Sequence, residues 1–141
     1  MRVTFIFTAL ALSLLLSSCG RGGQDEKPLS DAEISDRIVG IWKVNETAPS
    51  GVSSSGTVSI FKDGSVACNV KYVRGTRDLV MNYTASWRIE NGFLIEAIKT
   101  TSNSNLLAVG FVTRDKVLSL DDQKLVFETE NGNQIVRERI K

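Results

Sequence analysis

The chain has 141 residues, with 17 basic and 16 acidic side chains, two cysteines and no histidine. That length fits one domain around a single core, and the balanced charge leaves no basic stripe for DNA or RNA. Without histidine, His-based triads, most zinc sites and the commonest general base are excluded.

In chain order, the first pattern is secretory. Val3 to Leu16 is an apolar run of 14 residues behind Arg2, the length of a signal h-region and too short to span a bilayer. It ends in Leu16-Ser17-Ser18-Cys19. This order resembles a bacterial lipoprotein lipobox, which implies a signal peptide at 1–18, cleavage before Cys19 and acylation of the Cys19 thiol. Arg2 is the only charge lost with the signal, leaving 16 of each sign. Two or three acyl chains make a durable anchor, because each buried methylene contributes about 0.8 kcal/mol. Gly20 is not the Asp that retains many enterobacterial lipoproteins at the inner membrane. The resemblance therefore favours a cell-envelope protein held at the outer membrane. Cys68 is then left without a disulfide partner and is expected to be a buried small hydrophobe.

Residues 19–28 are polar and glycine-rich and read as a flexible tether. The domain occupies 29–141. It opens with a helix signature between Leu29 and Gly40. Ser30 is the N-cap, Glu33 completes a capping box, and Leu29 with Ile34 forms a hydrophobic staple. Ile34 and Ile38 share a face, and Gly40 stands where a left-handed residue ends a helix. This helix is expected to cover the end of a barrel.

From Gly40 the period changes to two. Strands are expected from Ile41 to Glu46, Thr57 to Phe61, Val66 to Val73, Met81 to Glu90 and Phe93 to Thr100. Others follow from Leu106 to Thr113, Val117 to Leu120, Lys124 to Thr129 and Gln134 to Ile140. Lys62-Asp63-Gly64-Ser65 and Asn91-Gly92 read as hairpin turns. Thr47 to Gly56 and Arg74 to Asp78 read as loops, and Arg114-Asp115 as a turn or bulge. Eight or nine short strands in series predict an all-β, antiparallel up-and-down barrel, whose closure removes both exposed edges.

Gly40-Ile41-Trp42-Lys43-Val44 resembles the G-x-W first-strand motif of lipocalins. Phe61 to Ser65 and Ser86 to Leu94 resemble the small lipocalin-like domains of bacterial lipoproteins. The resemblance covers residues 40–140. It implies a barrel of about eight strands with a short N-terminal helix, and no known reaction. The domain is shorter than a typical lipocalin and lacks a clear C-terminal helix after Ile140. In lipocalins a basic side chain packs over the Trp at the barrel floor. Arg137 and Arg139 both qualify for that place over Trp42, because Val136 and Ile140 mark one strand parity and Ile135 the other. A second resemblance, to small META-type envelope domains, rests on Ala67-Cys68-Asn69 alone.

There is no G-x-S-x-G, no Walker loop and no histidine to activate Cys68, so neither an enzyme nor a cofactor or metal site is expected. Candidate cavity-lining residues are Phe61, Tyr83, Trp87, Phe93, Phe111 and Phe127, interspersed with Ala67, Ala85, Ala97, Ala108 and Gly110. An eight-stranded barrel is either filled by such side chains or holds one small ligand. Two readings follow. The barrel binds a small apolar molecule such as a lipid or fatty acid, or it is a filled module that contacts or inhibits an envelope protein through the loops at 47–56 and 74–78. In both, the membrane is a partner through Cys19 and nucleic acid is not.

Overall fold

Short runs of alternating side chains, broken by turn residues, can bury one face by pairing each run with the next. The computed structural model describes residues 27–141 and shows this pairing throughout. The signal segment, the lipobox and most of the tether lie outside the described residues. One helix, α1 (Asp31–Ile38), precedes eight strands: β1 (Gly40–Thr47), β2 (Ser53–Ile60), β3 (Ser65–Arg74), β4 (Arg77–Glu90), β5 (Phe93–Thr101), β6 (Val112–Leu120), β7 (Lys124–Glu128) and β8 (Gln134–Ile140). Each pairs antiparallel with its successor, and β8 returns to β1, giving a closed up-and-down barrel.

The capping box forms as its residues require. Ser30 N–H donates to Glu33 Oε2 at 2.8 Å, and Glu33 N–H donates to Ser30 Oγ at 3.3 Å. Ile34 and Ile38 are buried in the core, with Leu29 packed against it. The Asp31 carboxylate accepts from the amides of Asn91 and Gly92, both at 2.7 Å. Those two residues form the β4–β5 turn, and both have positive φ, as a type I′ hairpin demands. The helix therefore closes the end of the barrel at which β1, β3, β5 and β7 begin. The opposite end is bordered by residues 48–52, 75–76, 102–111 and 129–133.

Three local expectations are corrected. Leu106 to Thr113 is not a strand: residues 102–111 form a loop, and a single strand, β6, runs through Arg114-Asp115. The pair continues the strand because Arg114 points outward over the Phe93 ring at 4.3 Å, leaving Asp115 on the inner face. The loop expected at 47–56 shrinks to 48–52, since the serine run extends β2 and Ser53 pairs with Thr47. A strand needs only polar side chains on its solvent face, which Ser53 and Ser55 supply. The loop expected at 74–78 is only the Gly75-Thr76 turn, with Arg74 opposite Arg77 and Val73 opposite Asp78 in the ladder.

The wall is uneven. The β3–β4 ladder runs from Ser65–Ser86 to Arg74–Arg77. The β6–β7 ladder stops at Lys116–Glu128, and β8 meets β1 only at Ile41, Trp42 and Lys43. Val44, Val58, Val66, Cys68, Val70, Met81 and Ala85 pack the interior on the tall side, along β1 to β4. Among the described residues, no helix is long and apolar enough to cross a membrane.

Candidate functional site

Strand register decides which arginine does what, since Trp42 pairs with Arg139. On β8, Ile135, Arg137 and Arg139 are partly buried, whereas Val136, Glu138 and Ile140 are exposed. Both arginines therefore stand on the inner face, two residues apart, and they meet different partners.

Arg139 belongs to the floor. Its guanidinium carbon lies 4.2 Å from the Trp42 ring centroid. Its Nη1 donates to the carbonyl of Val39 at 2.7 Å, its Nη2 to that of Arg37, and its Nε to that of Asp122 at 3.0 Å. Trp42 Nε1 donates to the Ile38 carbonyl at 2.8 Å. The last carbonyls of a helix lack partners of their own, and these two side chains satisfy them. Gly40 makes this possible. A Cβ there would lie 2.2 Å from Arg139 Nη1, and its φ of +150° disfavours any other residue.

Arg137 sits higher, inside the barrel. Its guanidinium carbon is 5.0 Å from the Phe127 ring centroid, and its Nε is 3.5 Å from Glu46 Oε1. That contact is an ion pair without hydrogen-bond geometry, since neither atom has a hydrogen-bond partner in the protein. Two more carboxyls share the inner face, Glu96 on β5 and Asp115 on β6. Leu94 pairs with Asp115 and Glu96 with Thr113, so the two acids are diagonal neighbours. Glu96 is 8% exposed and is the one charged side chain in the buried class among the described residues. Burial raises the pKa of its carboxyl, while the Arg137 charge opposes the rise. Burial likewise pushes Asp115 up to about 6 against the pull of Arg137. Tyr83 and Cys68 are cross-strand partners beside this cluster, and burial raises both pKa values.

These groups border a cavity of about 310 Å³. Its deep wall is Trp42, Ile60, Leu94 and Leu125; Tyr83, Phe127, Glu96, Asp115 and Arg137 stand above. Its mouth is set by the short wall. Thr113 and Arg114 on one side, and Thr129, Glu130 and Asn131 on the other, line it beyond the end of the β6–β7 ladder. The interior is thus packed by side chains in one part and hollow in another. Leu106, Val109, Phe111 and Val112 are exposed at the same end of the barrel.

Of the aromatic residues expected to line a cavity, Tyr83, Phe111 and Phe127 do so. Phe61, Trp87 and Phe93 lie elsewhere. Phe61 is exposed in the β2–β3 turn, and its carbonyl accepts from Trp87 Nε1 at 2.8 Å, tying that ring to the closed end. Phe93 faces outward beneath Arg114. Cys19 lies outside the described residues. Sequence reasoning missed Glu46, Glu96 and Asp115. Glu96 carried a signal, being the only charge in the apolar run from Phe93 to Ile98. Asp115 did not, because an Arg-Asp pair between apolar segments looks like a turn.

The chain matches no protein-family model and no curated protein.

Proposed function

We propose that this is a lipid-anchored envelope protein whose barrel binds one small molecule with an apolar body. The observation that carries the reading is the cavity of about 310 Å³, which combines an apolar floor with a few converging polar groups and opens beyond the end of a ladder. This is the usual composition of a small-ligand site, at the small end of the size range. The lipocalin resemblance agrees with it, as an analogy of fold and not of site. The lipobox resemblance supplies the location, with Cys19 acylated and the barrel held at the outer membrane. No reaction is proposed, and no cofactor.

Native mass spectrometry of the full chain, extracted from envelope membranes, tests the reading. A discrete mass beyond the acylated polypeptide, lost on denaturation, is expected. Leu94→Trp, which fills the floor, should abolish it. A bare mass in the native chain, unchanged after incubation with envelope extract, overturns the proposal. Cys19→Ser tests the anchor separately: lipid labelling and membrane attachment should both be lost, and unchanged attachment rejects the lipobox.

The exposed apolar residues Leu106, Val109, Phe111 and Val112 favour a second reading, contact with an envelope protein through the rim. Replacing Leu106 and Val109 with Ser separates the two. Loss of a co-purifying protein with the ligand mass retained favours the contact surface.

A further inference from the structure

We infer that the cavity takes an organic cation, a protonated amine on an apolar body, with Glu96 as its direct partner and Asp115 beside it. The inference rests on the ligand-binding reading and deepens it. Its first support is a charge imbalance. Three carboxyls face the interior: Glu46 from β1, Glu96 from β5 and Asp115 from β6. One guanidinium, Arg137 from β8, stands among them, since Arg139 is held at the floor by Trp42 and three carbonyls; at the mouth Arg114 and Glu130 add one charge of each sign. Arg137 already pairs with Glu46 and lies over Phe127. The interior therefore holds more acid than base.

The second support is Glu96 itself. Glu96 is 8% exposed, and its carboxylate borders the cavity and is not one of the fully enclosed atoms left without a partner, which are Glu46 Oε1 and Arg137 Nε. The cavity is the space it lines, so a partner has to come from there. Ionising a carboxyl that is nine-tenths buried is costly unless an opposite charge meets it. An ammonium group supplies donors and the missing charge together. Tyr83, Leu94 and Phe127 supply apolar and aromatic surface for the rest of the ligand.

Other ligand classes fit less well. A fatty acid or phosphate would bring another anion towards three carboxyls. A divalent metal ion needs converging ligands, and among the described residues no group of three or more His, Cys, Asp or Glu side chains is placed to hold one. The volume also sets a limit. About 310 Å³ equals the liquid share of roughly ten water molecules. That suits a compact arylalkyl amine and not a phospholipid.

The test uses three probes with one ring and one spacer: 2-phenylethylamine, 2-phenylethanol and phenylacetate. Each is titrated calorimetrically into the full chain at pH 7.5. The amine should bind about tenfold or more tighter than the alcohol, in line with a hydrogen bond to a charged group, and phenylacetate weakest. Glu96→Gln should erase the preference for the amine while alcohol affinity stays within about twofold, which also shows that the barrel is folded. Asp115→Asn should reduce the preference without erasing it. If the alcohol or phenylacetate binds the native chain as tightly as the amine, the inference fails and the small-ligand reading survives. If Glu96→Gln keeps the amine preference, the assignment to Glu96 fails. If none of the three binds while a native ligand mass is present, the amine is again refuted on its own. If that mass is absent as well, both readings fall.

Discussion

Arg139 caps the helix that Trp42 helps to seat. The guanidinium stacks on the indole at 4.2 Å, and between them the two side chains bind the carbonyls of Arg37, Ile38 and Val39. Sequence positions almost a hundred apart thus share one helix end and one barrel floor. Lysine cannot reproduce the fork. Arg139→Lys is expected to destabilise the fold by about 1–2 kcal/mol and Arg139→Ala by about 2–4 kcal/mol, from lost cation–π contact and unpaired carbonyls. Urea unfolding midpoints measure both. Equal stability of the Lys variant and the parent would show that charge alone suffices.

The Asp31 carboxylate is expected to hold the other end of α1. It receives both turn amides of the β4–β5 hairpin. Asp31→Ala should cost about 1–3 kcal/mol. Hydrogen exchange at Asn91 and Gly92 should rise selectively, before any change in the β3–β4 ladder. Exchange that rises uniformly would mean the helix is not separately docked.

Acidification should at first strengthen the fold. Burial holds Asp115 near 6, above its ordinary value, and raises Glu96 in the same direction. A raised carboxyl pKa means the folded state binds the proton more tightly, so ionisation opposes folding. That penalty is full above about pH 6 and recedes as pH falls from 6 towards 4. Surface acids act the other way. Hydrogen bonds hold Glu33, Asp63, Asp78 and Asp121 below their usual values, and their contribution is lost at lower pH. Glu46, Glu130 and Arg137 also face the Asp115 region. Melting temperature should therefore rise from pH 8 to about 5 and fall below that. Asp115→Asn should flatten the upper limb. An unchanged slope in that variant would remove Asp115 as its source.

Cys68 should be inert in the native chain. Its thiol is buried, and burial raises its pKa, whereas only the thiolate reacts. In a Cys19→Ser background, iodoacetamide should label it about a hundredfold faster in denaturant than in buffer. Rapid native labelling would show that the tall side of the barrel opens.

The architecture was legible because its signals are local. Ser30 with Glu33, Asn91-Gly92 and alternation along β1 and β8 each decide a cap, a turn or a strand by themselves. Alternation alone did not decide which arginine reaches Trp42: apolar residues occupy both parities of β8, and Arg137 and Arg139 share one of them. Exposure of Val136 and Ile140 turns both arginines inward, and the register settles the choice, since Trp42 pairs with Arg139. The β5–β6 region misled for a similar reason. Leu106 to Phe111 is apolar enough for a strand yet forms a loop in which Leu106, Val109 and Phe111 are exposed, while the polar Arg114-Asp115 pair is built into a wall. A carboxyl that faces inward across a barrel depends on partners from other strands, and nothing in its own segment announces that.

The short β1–β8 seam has a consequence for folding. The hairpins from β2 to β5 use neighbours in sequence and can form as the chain emerges, but the seam joins Ile41–Lys43 to Glu138–Ile140. Long-range closure is the slow step of such a topology. Until it happens, the chain presents two raw strand edges, with β8 as the zipper. Loss of β8 should leave a sticky, protease-sensitive sheet, so pairing of β8 with β1 is the checkpoint between a newly made chain and a finished barrel.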